Sequence, residues 1–164
     1  RTIVYFIKNG YNVYGIDPDA HAIDKVKRLA QQLAPVNPPE NFVVATADDI
    51  PFEKSFFDLA ICSAVLHFAK DKANFEAMLL AIWHVIKPGG YFFARLASNI
   101  GIEDLVQPTG NGQYLLPDGS VRFLVNETML AHYTKALDAI LYEPVKTTNV
   151  SNMRCMTTWC LRKK

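Results

Sequence analysis

Apolar positions along the chain follow two periods. Residues 11–16 form a short aromatic and β-branched run that reads as a strand. Over residues 18–34, Ile23, Val26, Ala30 and Leu33 repeat at helical spacing, with Lys25, Lys27 and Arg28 between them. Residues 42–46 read as a buried strand. Residues 57–63 are nearly all apolar, the pattern of a strand covered on both faces. A second amphipathic helix runs over 73–86 through Phe75, Met78, Leu79, Ile82 and Ile86, and Lys87-Pro88-Gly89-Gly90 stops it. A strand follows over 91–97. Asn126 is set to cap a helix through Leu130, Tyr133 and Leu137. Two β-rich segments, 140–146 and 154–161, finish the chain.

Breaks between these elements carry information of their own. Pro35-Val36-Asn37-Pro38-Pro39 reads as a rigid connector after a helix. Residues 99–120 hold Gly101, Pro108, Gly110, Gly112, Pro117 and Gly119, and form an irregular stretch longer than most loops of a compact domain. Such loops are often lids or substrate loops. In the first ten residues, Ile3, Val4 and Ile7 fit a helix face with Gly10 as its C-cap. Asn9-Gly10 between apolar runs is equally a hairpin signal. Strands alternating with helices predict an α/β domain with a mostly parallel sheet. The last two segments, joined through 147–153 without a helix, are expected to form an antiparallel pair. No internal repeat is present.

Length and composition narrow the class. The 164 residues, 18.4 kDa, fit one domain, residues 1–164. A chain that is 50% hydrophobic and 20% charged is not a disordered tail. Seventeen Lys and Arg against sixteen Asp and Glu leave a net charge of +1. That balance carries no electrostatic footprint for nucleic acid or an acidic membrane surface, so neither is an expected partner. The one basic run, Arg162-Lys163-Lys164, is short. No apolar run reaches the ~18–20 residues needed to cross a bilayer. Cys62, Cys155 and Cys160 are an odd number without metal-ligand spacing, and read as free thiols of a cytoplasmic protein. No metal site is expected.

Ligands in open α/β sheets bind beyond the carboxyl ends of the strands. Asp17 follows one such end. It either accepts hydrogen bonds from two ribose hydroxyls or caps the next helix with Pro18. Asp48-Asp49-Ile50-Pro51-Phe52 follows another. Asp48 can accept from an exocyclic amine while Ile50 or Phe52 covers a flat ring, or the segment is a solvated turn. The third is Cys62-Ser63-Ala64-Val65-Leu66-His67. His67 is the candidate base or substrate contact, with a structural role beside Phe68 as the alternative. Cys62, inside an apolar strand, is no nucleophile. His21, His84 and His132 fall on helices and read as structural or exposed. Neither a Gly-x-Ser-x-Gly elbow nor a Walker loop occurs.

Together these segments resemble class I S-adenosylmethionine-dependent methyltransferases of the small-molecule type. Gly10-Tyr11-Asn12-Val13-Tyr14-Gly15-Ile16-Asp17-Pro18 is similar to the family's second strand. Ala47-Asp48-Asp49-Ile50-Pro51-Phe52 followed by Phe57-Asp58-Leu59-Ala60 is similar to its adenine-binding turn and fourth strand. Leu66-His67-Phe68 resembles the next active-site segment, and Ile86-Lys87-Pro88-Gly89-Gly90-Tyr91 the turn into the fifth strand. The resemblance covers residues 1–98 well and the last third more loosely.

It implies a three-layer Rossmann-like fold with an antiparallel C-terminal strand pair, S-adenosylmethionine as cofactor, and methyl transfer by in-line displacement to a small-molecule acceptor. Asp17 with Pro18 would hold the ribose, Asp48 the adenine amine, and Asp49 and Ile50 would line the adenine. Ser63 and Ala64 would lie near the methionine part, and His67 is the candidate catalytic residue. The resemblance also favours the helix for the first ten residues. The family begins with a central strand and a glycine-rich loop that this sequence lacks, so a leading segment is expected to be missing from it. Two rival readings are a noncatalytic methyltransferase-like binding module and a nicotinamide-dependent oxidoreductase.

Overall fold

Of the two readings of the N-terminus, the helix is the one realised. The structure, a computed structural model, describes residues 2–33 and 37–164. Helix α1 spans Thr2–Lys8. Tyr11 donates its N–H to Phe6 O at 3.1 Å and Gly10 donates to Ile7 O at 3.2 Å, the paired bonds of a Schellman cap. Gly10 supplies the required positive φ of 78°. Asn9-Gly10 therefore closes a helix and turns no hairpin.

The chain divides into two compact units, Arg1–Pro51 and Phe52–Lys164. In the first, β1 is Gly15–Asp17 and β2 is Phe42–Val44, paired parallel with Asp17 opposite Val44. Both are shorter than the apolar runs predict. Residues 11–14 are not strand, because side-chain amides take their backbone groups. Asn37 Oδ1 accepts Val13 N–H at 2.6 Å, Asn37 Nδ2 donates to Tyr11 O, and Asn41 Nδ2 donates to Val13 O. Helix α2 is Ala20–Leu33. It starts two residues later than expected, since Asp17 Oδ1 accepts from Asp19 N–H and Asp19 Oδ1 from His21 N–H. Its expected end at Ala34, and Pro35 and Val36 of the expected connector, lie outside the described residues. Pro39–Asn41 is a 3-10 turn. Ile7, Ile23, Ala30 and Phe42 form this unit's core, with Val26 and Leu33 packed on it, as the helical spacing predicts. Val44 is exposed, so β2 is not buried throughout.

In the second unit β3 spans Phe57–Ser63, as expected, and β4 spans Ile86–Ser98. They pair parallel. The apolar run of β3 is not covered on both faces. Leu59 and Ile61 are 41% and 38% exposed, and Cys62 is the only buried residue of the strand. Among the described residues β3 forms a ladder with β4 alone, so it is an edge strand.

Helix α3, Lys72–Val85, starts where Asp71 accepts Asn74 N–H at 2.8 Å. Its last carbonyls are met by Lys163, whose Nζ donates to Trp83 O and Ile86 O. Lys87-Pro88-Gly89-Gly90 forms an irregularity inside β4: Ile86 faces Phe57 while Tyr91 already faces Leu59. Only glycine fits at 90, where a Cβ would meet Ile86 Cγ2 at 2.8 Å and Lys87 O at 2.9 Å.

Residues 99–120 are not an irregular loop. They contain a 3-10 turn, Glu103–Leu105, and strands β5 (Gln107–Gly110) and β6 (Gln113–Leu115). With β7, Val121–Phe123, these make an antiparallel meander. Positive φ at Gly110, Asn111 and Gly112 turns the first hairpin. At the second turn Asp118 Oδ1 accepts from Ser120 N–H and Oγ. The pattern hid this sheet because β5 is exposed at all four positions and shows no apolar alternation.

Asn126 caps α4, Glu127–Ala136, accepting Met129 N–H at 2.8 Å, as expected. The expected strand 140–146 is two strands, β8 (Ala139–Leu141) and β9 (Lys146–Val150), interrupted near Pro144, so part of the expected connector is itself strand. Both pair antiparallel with β10, Arg154–Lys163, which also runs antiparallel to β4. The sheet order is β3-β4-β10-β8, with β9 on β10. Trp159, Phe92, Leu96 and Leu161 are wholly buried along it. Phe75 and Phe123 stack at 4.9 Å between ring centroids, and Trp159 Nε1 donates to Thr134 Oγ1.

Candidate functional site

In the first unit, the candidate residues lie at the carboxyl end of the β1/β2 pair. Asp17 closes β1, where its backbone O accepts Ala45 N–H, and Pro18 follows exposed. The half-buried Asp17 carboxylate gives Oδ1 to Asp19 N–H, and Oδ2 has no partner among the described residues. The two alternatives for Asp17 are thus compatible: one oxygen supports the start of α2 and the other is available to a ligand. Beyond β2 the chain turns where Asp49 donates its N–H to Thr46 O at 3.2 Å. Asp48 and Asp49 are exposed there, and Ile50 is half-buried.

In the second unit the same end of the β3/β4 pair carries Ser63, Ala64 and His67. Ser63 lies opposite Arg95, and Ala64 donates its N–H to Arg95 O at 2.8 Å. Ala64 has φ 60°, uncommon for a residue with a Cβ. A 3-10 turn, Leu66–Phe68, then carries His67 back under β4. His67 Nδ1 accepts the N–H of Ala97 at 3.2 Å. The proton of the neutral ring is therefore on Nε2, which is a donor. Burial, with the Arg122, Arg154 and Arg95 charges, pushes the ring down to about 4. His67 is neutral at pH 7 and its one basic nitrogen is occupied. This arrangement suits a hydrogen-bond donor, not a general base.

Ala64 and His67 line a common cavity of about 310 Å³ with Arg95, Leu116, Arg122 and Arg154. The meander forms one wall. It is tied to the His67 turn by Gln113 Nε2, which donates to Ala69 O at 3.1 Å. Leu116 packs with Ala97, Leu124 and Met156. Arg122 lies 4.9 Å over the ring of Phe68. Sequence reasoning missed the three arginines. Arg95 did leave a signal, as the one charge in the apolar run of residues 91–97. Arg122 and Arg154 left none, since only the folded sheet brings them to β4.

Burial raises the Cys62 thiol to about 11, as expected of an inert structural cysteine. His21, His84 and His132 lie exposed on α2, α3 and α4. Among the described residues no helix is long and apolar enough to cross a membrane.

The profile of a family described as "Methyltransferase domain" matches residues 1–94. An uncharacterized methyltransferase of Synechocystis sp. is 31% identical over 93 residues, covering 56% of this chain and 40% of that protein. The chain thus spans well under half the length of this curated relative. A SAM-dependent methyltransferase from Methanosarcina mazei superposes with a TM-score of 0.74 at 19% identity, covering 98% of this chain and 86% of that one. The 1,6-didemethyltoxoflavin-N1-methyltransferase of Burkholderia thailandensis, solved with 1,6-didemethyltoxoflavin and S-adenosylhomocysteine, gives 0.73 at 18% identity, covering all of this chain and 66% of that one. These likenesses show the Rossmann-like fold that the family resemblance implies. With the match over more than half of its residues, the chain belongs to the methyltransferase-domain family.

Proposed function

We propose that this protein transfers the methyl group of S-adenosylmethionine to a small-molecule acceptor. The cavity that Ala64 and His67 share carries this reading, because its volume of about 310 Å³ suits a small organic molecule. Family membership supports the cofactor, as does the bound S-adenosylhomocysteine of the Burkholderia neighbour.

Each unit carries residues whose chemistry suits part of such a cofactor. Asp17 keeps a carboxylate oxygen at the mouth of β1 for ribose hydroxyls, and Pro18 borders it. Asp48 is the candidate partner of the adenine amine, with Asp49 and Ile50 along the ring. Ser63 and Ala64 are the candidates for the methionine part, and both are exposed at the end of β3. When bound, S-adenosylmethionine supplies a methyl group on a sulfonium, open to in-line displacement.

What remains for the protein is positioning. Holding acceptor and methyl group in line contributes up to about 7–11 kcal/mol in well-oriented systems. His67 Nε2–H orients the acceptor by donating a hydrogen bond, held in that direction by the Ala97 N–H on its other nitrogen. Leu116 and Met156 form the apolar part of the cavity wall, and residues 99–120, the expected lid, contribute Leu116 and Ser120 to its lining. A base is needed only where the acceptor must lose a proton, and His67 is not arranged to be one.

The test is fractionation. A cell extract is split by ultrafiltration into small molecules and retained macromolecules, each is incubated with the chain and S-adenosylmethionine, and S-adenosylhomocysteine is measured by mass spectrometry. Formation with the filtrate is expected. Formation with the retained fraction alone, or with neither, contradicts the reading.

A further inference from the structure

Arg95, Arg122 and Arg154 line a cavity of small-molecule size, and the charges of all three act on His67. Arg154 Nη1 lies 3.9 Å from Asp118 Oδ2, a loose and largely solvated pair. Arg122 uses Nη1 on Val121 O at 2.7 Å and rests on Phe68. Among the described residues no carboxylate pairs with Arg95 or Arg122. Arg95 and Arg122 are half-buried, so each carries a charge that water only partly solvates. A guanidinium offers five N–H donors in a plane, which match the oxygens of a carboxylate or phosphate. The rest of the lining is different in kind. Leu116, Val150 and Met156 are apolar, and His67 adds one neutral donor.

We propose that this cavity selects an acceptor carrying an oxyanion, a carboxylate or phosphate group, on an apolar body, with Arg95 and Arg122 holding the oxyanion. This rests on the reading of the cavity as the acceptor site. Asp118, held ionised by Ser120, lies near the cationic rim and tempers Arg154 more than Arg122. The cofactor's own α-carboxylate is a second source of the same chemistry, and the experiment separates the two.

Calorimetry on the whole 164-residue chain, first alone and then saturated with S-adenosylhomocysteine, compares three probes: salicylate, phenyl phosphate and the neutral salicylamide. At least one oxyanion probe is expected to bind tenfold or more tightly than the amide in both states, and the tighter of the two identifies the group. Arg95→Gln and Arg122→Gln should each erase the preference while leaving the melting temperature within a few degrees. An amide that binds as well as both oxyanions overturns the proposal. So does a preference that survives both substitutions, or probes displaced by S-adenosylhomocysteine, which would assign the arginines to the cofactor. Where this chain does not bind S-adenosylhomocysteine the full-length gene product is titrated, its failure to bind refutes the methyltransferase reading, and the preference of the free chain is scored in either case.

Discussion

His67 Nδ1 accepts the backbone N–H of Ala97 across 3.2 Å in the interior of the second unit. One bond fixes the tautomer of the ring, satisfies a buried strand amide and turns Nε2–H away from β4. Burial of the ring, with the charges of Arg122, Arg154 and Arg95, also makes stability depend on pH. The unfolded ring takes its proton near pH 6.5, while the folded ring is pushed down to about 4. Between those values the unfolded chain holds more protons. The stabilisation is complete above pH 6.5 and is lost as pH falls toward 4, by up to about 1.4 kcal/mol per pH unit. Urea unfolding at pH 7.5, 6.0 and 5.0 should show this slope, and His67→Gln should flatten it. Equal slopes in both proteins would count against the assignment.

Gly90 is the position in the turn before Tyr91 where a side chain has no room. A Cβ there would sit 2.8 Å from Ile86 Cγ2, 2.9 Å from Lys87 O and 3.0 Å from Asp58 O. Gly90→Ala is expected to cost about 1–3 kcal/mol, the range for overpacking. Neighbouring Gly89 has open space but a φ of 80°, so Gly89→Ala should cost about 1–2 kcal/mol, from backbone conformation alone. Thermal melts of the two variants measure the difference. A Gly90→Ala protein as stable as wild type would mean the turn relaxes freely.

Asn37 is wholly buried in the first unit and stands in for a strand partner of residues 11–13. Asn37→Ala leaves Val13 N–H and Tyr11 O without those bonds, a loss of about 2–4 kcal/mol for two buried polar groups. Asn37→Asp keeps an acceptor for Val13 but sets a buried carboxylate oxygen against Tyr11 O, and should cost at least as much as Asn37→Ala at pH 7. Hydrogen exchange at the Val13 amide reads the loss directly, and should quicken in Asn37→Ala.

These cases explain what the sequence could reveal. Helices α2, α3 and α4 were legible because one face repeats at 3.6 residues, and Asn126 was legible because capping is a local act. The length of β1 was not, since the groups that end it, Asn37 and Asn41, lie more than twenty residues away. The meander of β5 to β7 was not, since its strands are too short and too polar to alternate. Among the candidate residues, Asp17, Asp48, Ser63 and His67 stood out in the sequence as polar residues after apolar strands. Arg122 and Arg154 were invisible, because nothing in their local sequence distinguishes them from solvated arginines. The role of His67 also needed the fold. A histidine after a strand reads as a base until Ala97 is found on its nitrogen.

Asp17 carries the central claim, that this chain holds S-adenosylmethionine. The most direct measurement is calorimetric titration of the 164-residue chain with S-adenosylhomocysteine, beside Asp17→Ala. A hydrogen bond to a charged group contributes about 1.5–3 kcal/mol. Binding at micromolar concentrations that weakens by at least about tenfold in Asp17→Ala is the predicted result. Equal affinity in Asp17→Ala, or absence of binding by the full-length gene product as well as by this chain, would contradict the account.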